Sequence, residues 1–200
     1  MPNVDQPPSV SNRITQRIKY LPKGKPFSIR RFKDLGTNNA VSKAVARLIK
    51  LGELERVYRG IYMRPKAGRY LAKAHPNPRQ LISLIAREKR LSLQIHGANA
   101  VRKFGLGTQV PLIQIFYTNG ASRSVFIGKA EIRLIHAPPM VMQHAGTEAG
   151  VAISALFYIG KYGVTPECVH AIKSMLSHDD LIKLMSSRMP PWMRLALKAR

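Results

Sequence analysis

The sequence predicts an α+β chain in two parts: an N-terminal winged helix-turn-helix domain followed by a mixed α+β C-terminal domain with terminal helices. Three observations predict it. Between Asn38 and Lys50 the apolar residues Val41, Ala44, Val45, Leu48 and Ile49 fall at the spacing of one helix face. An alternating ribbon with an Arg-Gly turn follows directly. Beyond residue 78, short alternating runs give way to four helical segments. The expected organisation is a disordered lead over 1–9, the winged domain over 10–66, a linker over 67–78 and an α+β domain over 79–200.

Taken in order, residues 1–9 carry three prolines and read as a lead. Ser11 or Asn12 can cap a first helix running to about Leu21, with Ile14, Ile18 and Leu21 inward. A rigid basic loop, Pro22-Lys23-Gly24-Lys25-Pro26, brings the chain to Phe27, a candidate third strand beside the ribbon. Ile29 to Leu35 reads as a short helix capped by Ser28, with Ile29, Phe32 and Leu35 inward and Arg30, Arg31 and Lys33 outward. Leu35-Gly36-Thr37 breaks it. Two helices joined by a short Gly-containing turn, the second one basic, form the helix-turn-helix arrangement.

The second helix carries Asn39, Lys43, Ala46, Arg47 and Lys50 opposite its apolar face, with Ser42 on the flank and Asn38 at its start. Nothing on that face is acidic. Asn can bond an adenine edge, and Arg or Lys can bond guanine or phosphate. Gly52 ends the helix, and Leu54 to Arg59 alternates as a half-buried strand does. Arg59-Gly60 turns the chain into Ile61 to Arg64, closed by Pro65, which reads as a wing offering Arg56, Arg59 and Arg64 to phosphate or a minor groove. A basic, solvated helical hairpin is the plainer account of such charges. The order helix, turn, basic helix, arginine-tipped hairpin favours the DNA-reading account.

Residues 67–78, rich in Pro, Gly and Lys, read as the linker. Pro78 to Lys89 has a broad apolar face and is expected as a helix; Leu91 to Ile95 as a strand; Gly97 to Phe104 as a short helix; Leu112 to Tyr117 as a buried strand. Ser124–Ile127 and Glu131–Ile135 form a hairpin about Gly128-Lys129, with Val125, Ile127, Ile132 and Leu134 inward. Thr147–Lys161, Glu167–Leu176, Asp179–Arg188 and Pro191–Ala199 are helical.

Charge narrows the function. The 200 residues hold 33 basic and 10 acidic side chains, a formal charge of +23. Both halves share it: 17 basic and 4 acidic in residues 1–75, 16 and 6 in 76–200. Such a field favours nucleic acid or an anionic membrane surface. The apolar run Val151 to Ile159 is too short to span a bilayer, and the amino terminus lacks the pattern of a signal peptide. One cysteine, Cys168, excludes an internal disulfide framework and reads as a small buried side chain in a reducing cytoplasm.

Catalytic and metal chemistry find no motif. The six histidines, His75, His96, His136, His144, His170 and His178, form no metal-binding spacing and read as surface or capping groups. Asp179 and Asp180 suit the first turn of a helix. No phosphate-cradling P-loop or nucleophile elbow occurs. No cofactor, metal or catalytic residue is expected, and the chain reads as not an enzyme. Arg123, in Ser122-Arg123-Ser124 beside the Asn119-Gly120 turn, is a candidate anion contact, with a plain hairpin loop as the simpler reading.

The motifs Leu21-Pro22-Lys23-Gly24, Leu35-Gly36, Arg59-Gly60-Ile61-Tyr62 with Pro65-Lys66, Gly105-Leu106-Gly107-Thr108-Gln109-Val110-Pro111 and Tyr117-Thr118-Asn119-Gly120-Ala121-Ser122-Arg123 together resemble the AbiEi-like antitoxins over about residues 12 to 165. The resemblance implies the antitoxin of a type IV toxin-antitoxin system, encoded beside a nucleotidyltransferase toxin. It implies an N-terminal winged helix that represses its own operon at inverted repeats, and a C-terminal domain that counters the toxin, with direct contact between the two proteins left open. The DNA-facing residues come from periodicity, not from the resemblance. The expected partners are double-stranded operator DNA and the cognate toxin, the protein being a monomer or weak dimer that pairs on DNA. Two other classes compete: an RNA-binding factor shielding tRNA or rRNA, and an enzyme that modifies the toxin.

Overall fold

The computed structural model describes residues 8–66 and 75–199. The chain divides into two compact units, Met1–Lys89 and Arg90–Arg200. The whole is mixed α+β, with helices and two sheets. Most of the expected lead (1–7) and of the expected linker (67–74) lies outside the described residues.

In the first unit, helix α1 spans Val10–Lys19. Its cap is Ser9, whose hydroxyl accepts from the Asn12 N–H; Ser11 and Asn12, the expected caps, lie within the helix. Strand β1 (Pro26–Ser28) follows, with Phe27 at its centre. Where a helix over Ile29–Leu35 was expected, a single 3₁₀ turn, Ile29–Phe32, forms instead, capped by Ser28. A segment this short, ending at a Gly-containing break, gains little from α-helical propagation. Gly36 explains the tightness of that break: a Cβ there would stand 2.8 Å from a methyl of Val10.

Helix α2 spans Asn38–Lys50, capped by Thr37, and buries Val41, Ala44, Val45 and Leu48. These join Ile14, Ile18, Leu21, Phe27, Phe32, Leu35 and Leu54 in one core. Strands β2 (Glu55–Tyr58) and β3 (Ile61–Met63) form the hairpin, and β1 pairs antiparallel with β3, giving the order β1-β3-β2. Phe27 and Tyr62, opposite each other, face the helical core. Ile61 and Met63 point to the other side of the sheet and are also buried.

Helix α3 (Pro78–Lys89) packs against β1 and buries Leu81, Ile82, Leu84, Ile85 and Ala86. It therefore belongs with the first unit, and the boundary falls after Lys89 rather than at residue 79. The helix returns to the sheet of β1.

In the second unit, β4 (Leu93–Ile95), α4 (Gly97–Lys103), β5 (Gln114–Thr118), β6 (Arg123–Ile127) and β7 (Ala130–His136) lead to α5 (Glu148–Ile159), α6 (Pro166–Ser174), α7 (His178–Ser186) and α8 (Pro191–Lys198). The sheet order is β4-β5-β7-β6, with β5 and β7 parallel and the other pairs antiparallel, the mixed sheet the pattern implied. Val125, Ile127, Ile132 and Leu134 are buried as expected. Helix α5 is apolar on nearly every side, and Ala149 to Leu156 are all buried. Side chains of α4, α6, α7 and α8 complete its core. Asp179 and Asp180 sit in the first turn of α7, and Cys168, near the start of α6, is only half-buried.

Candidate nucleic-acid interface

Helix α2 carries an acid-free cationic face in the first unit. Its inner positions are locked into the core, so the opposite positions have no choice but water: Asn38, Asn39, Ser42, Lys43, Ala46, Arg47 and Lys50 are all exposed. Among the described residues none of their side chains makes an ion pair or side-chain hydrogen bond. The first turn carries no charge, and Arg47 and Lys50 occupy the last, where cations suit the helix dipole. The arrangement can present two amides, a hydroxyl and three cations to an anionic surface without a carboxylate of the helix intervening.

The hairpin adds two cations that have no ion pair among the described residues. Arg56 on β2 and Arg59 in the turn are exposed. Gly60 holds φ +77, a conformation that favours glycine, and closes the turn.

Arg64 departs from the expectation. Its guanidinium turns back and donates to the carbonyls of Lys19 (2.6 Å) and Leu21 (2.8 Å), closing the carboxy end of α1. The end of a helix leaves carbonyls unpaired, and a nearby arginine satisfies them better than solvent does. Arg64 therefore helps to hold the fold through one of its terminal nitrogens.

Arg30 and Arg31 are exposed on the 3₁₀ turn. Arg30 reaches Glu88 of α3 at 3.2 Å while its side chain stays 70% exposed. Such a pair is weak and leaves the guanidinium open to exchange for a phosphate. Arg17 grips Asp34 at 2.9 Å and holds that carboxyl below its usual range, so the acid next to the break is ionised and already paired.

Arg123 also departs from the expectation. It lies on the same strand face as the buried Val125 and Ile127, and its Nε and Nη2 are shielded from solvent without a partner. Arg123 is half-buried, and the structure brings no acidic side chain to it among the described residues. Ser122 instead accepts from the His136 N–H at 2.8 Å.

One cluster escapes sequence reasoning. His96, Tyr117 and Tyr158, far apart in the chain, meet with ring centroids 4.7 and 5.5 Å from His96. His96 caps α4: its Nδ1 accepts from the Ala98 N–H at 3.3 Å, and burial pushes its pKa down. Burial pushes the Tyr117 hydroxyl up. Gly97 allows the meeting, since a Cβ there would collide with Tyr158. Only the capping role of His96 had a local signal.

Among the described residues no group of three metal-ligating side chains comes together, and no helix is long and apolar enough to cross a membrane.

A family model described as a family of unknown function (DUF6088) matches residues 13–184, and the chain belongs to that family. No curated protein and no solved structure matches it.

Proposed function

We propose that this protein binds duplex DNA through its first unit, as a winged helix-turn-helix domain, and represses transcription from its own operon in the cytoplasm. The observation that carries the reading is the acid-free outer face of α2, where Asn39, Ser42, Lys43, Arg47 and Lys50 stand exposed above a locked apolar core. The 3₁₀ turn and α2 then serve as the helix pair, and the β2–β3 hairpin as the wing. Asn39 and Arg47 supply base contacts, with Ser42 and Lys43 beside them; Arg30, Arg31, Asn38, Lys50, Arg56 and Arg59 hold phosphates. A single copy makes few base contacts, so two copies on inverted half-sites complete the operator complex.

The resemblance to AbiEi-like antitoxins extends the proposal: the chain acts as the antitoxin of a type IV pair, and its second unit counters a nucleotidyltransferase toxin encoded beside it. Binding of the promoter-proximal duplex by Asn39→Ala and Arg47→Ala tests the DNA reading. Each change costs roughly 1 to 3 kcal/mol on the operator if its contact is bidentate, and much less on unrelated duplex. Equal losses on both duplexes reject base reading. Co-expression with the neighbouring gene tests the antitoxin role: growth arrest by the toxin is relieved by the whole chain, and persistent arrest contradicts the role.

A further inference from the structure

A second cationic concavity shares no residue with the α2 face. It is a groove of about 540 Å³ in the first unit, lined by Lys25, Pro26, Arg79, Gln80, Ser83, Leu84 and Arg87. Arg79, Ser83 and Arg87 recur every four residues along α3 and so form one exposed stripe, with Gln80 beside it. Lys25 faces them from the segment entering β1. Among the described residues the lining has no carboxylate, and none of its three cations is ion-paired. The one acid of α3, Glu88, is engaged by Arg30.

Strand register fixes where this groove stands. Ser28 pairs with Ile61, beside the Arg59-Gly60 turn, whereas Pro26 pairs with Met63 at the other end of the sheet. The groove therefore opens at the end remote from the hairpin tip. Three unneutralised cations in a concavity focus positive potential and hold counterions that a polyanion would release.

The lining also selects among polyanions. Arg, Lys, Gln and Ser are the side chains that bond phosphate oxygens and sugar, without reading sequence. Among the described residues the lining has no aromatic ring on which an unpaired base could stack, which disfavours a single strand, and no aromatic anchor of the kind that concentrates binding energy in protein interfaces.

We infer that the Lys25–Arg79–Arg87 groove is a second, sequence-independent contact for the sugar-phosphate backbone of duplex DNA. It lets one molecule hold DNA beyond the stretch read by α2, either the flank of a bent operator or a second duplex. The inference does not depend on base reading, because the groove shares no residue with the α2 face.

The test uses the full chain and a fluorescent duplex of about 20 base pairs with unrelated sequence, titrated over a range of salt concentrations. Lys25→Ala/Arg79→Ala/Arg87→Ala lowers the magnitude of the log K against log salt slope by about 2 to 3, at about 0.9 per phosphate neutralised. Affinity at moderate salt falls roughly tenfold or more. The charge-retaining Arg79→Lys/Arg87→Lys protein keeps the wild-type slope, which separates lost charge from lost fold. An unchanged slope in the alanine protein overturns the inference. So does failure of the wild type to bind the duplex, or competition by a single strand or by polyglutamate as effective as by duplex. Loss of operator preference in Asn39→Ala or Arg47→Ala is scored separately and bears only on α2.

Discussion

Arg64 shows how one side chain's direction decides its role. From the chain alone it is one of three arginines on an exposed ribbon; in the structure it spans to α1 and takes two carbonyls. Hydrogen bonds from a charged donor contribute about 1.5 to 3 kcal/mol each at most. Arg64→Ala is expected to lower the thermal midpoint, with a stability loss of about 1 to 3 kcal/mol, while the operator-to-random binding ratio stays unchanged. A lost ratio with unchanged stability would return Arg64 to the DNA surface. His96 gives a pH signature. Burial lowers its pKa from the ordinary 6.5, and its Nδ1 must stay unprotonated to cap α4. The unfolded chain then binds the proton more readily, so this contribution to stability is complete above pH 6.5 and declines as pH falls below it. His96→Asn keeps a capping acceptor without a titratable ring. Between about pH 7.5 and about pH 5.5 the wild type should lose more thermal stability than this variant. Equal losses contradict the assignment.

At the scale of elements, α2 was the most legible feature because its inner face repeats at helical spacing and its outer face has no acid. The Gly60 turn and the Gly128-Lys129 hairpin were legible for a similar reason: local backbone needs specify local residues. The 3₁₀ turn was not, since Ile29, Phe32 and Leu35 satisfy an α-helical pattern equally well, and only packing decides how far a four-residue element extends. The groove on α3 was also out of reach, because periodicity finds the stripe Arg79, Ser83, Arg87 but cannot say that Lys25 stands opposite. The break before α2 makes a sharp prediction. Gly36→Leu forces a side chain into Val10 and should cost about 1 to 3 kcal/mol by overpacking; chemical denaturation reads it, and a neutral result would mean α1 and the break do not meet as described.

On the scale of the whole molecule, the excess of 33 basic over 10 acidic residues is spread over both units, and it was plain from composition. Its meaning was not. Some cations, such as Arg17, Arg64 and Lys103, are committed to internal pairs or carbonyls, while those of α2 and the α3 groove are unpaired among the described residues. The two compact units part after Lys89 for a tertiary reason: α3 covers β1, and the spacing of Pro and Gly does not say which apolar face the chain next covers. If seven or eight cations meet phosphate, the affinity for duplex should follow salt with a slope near −6 to −7. A flat dependence across the titration would deny any extensive backbone contact.

The proposed DNA reading sets the outer face of α2 against bases. Photo-crosslinking of the chain to promoter-proximal duplex bearing 5-iododeoxyuridine in the major groove, followed by mapping of the modified peptide, measures this contact itself. Adducts within Asn38–Lys50, centred on Asn39, Lys43 or Arg47, are the predicted result. Adducts confined to the second unit, with none on α2, would contradict it.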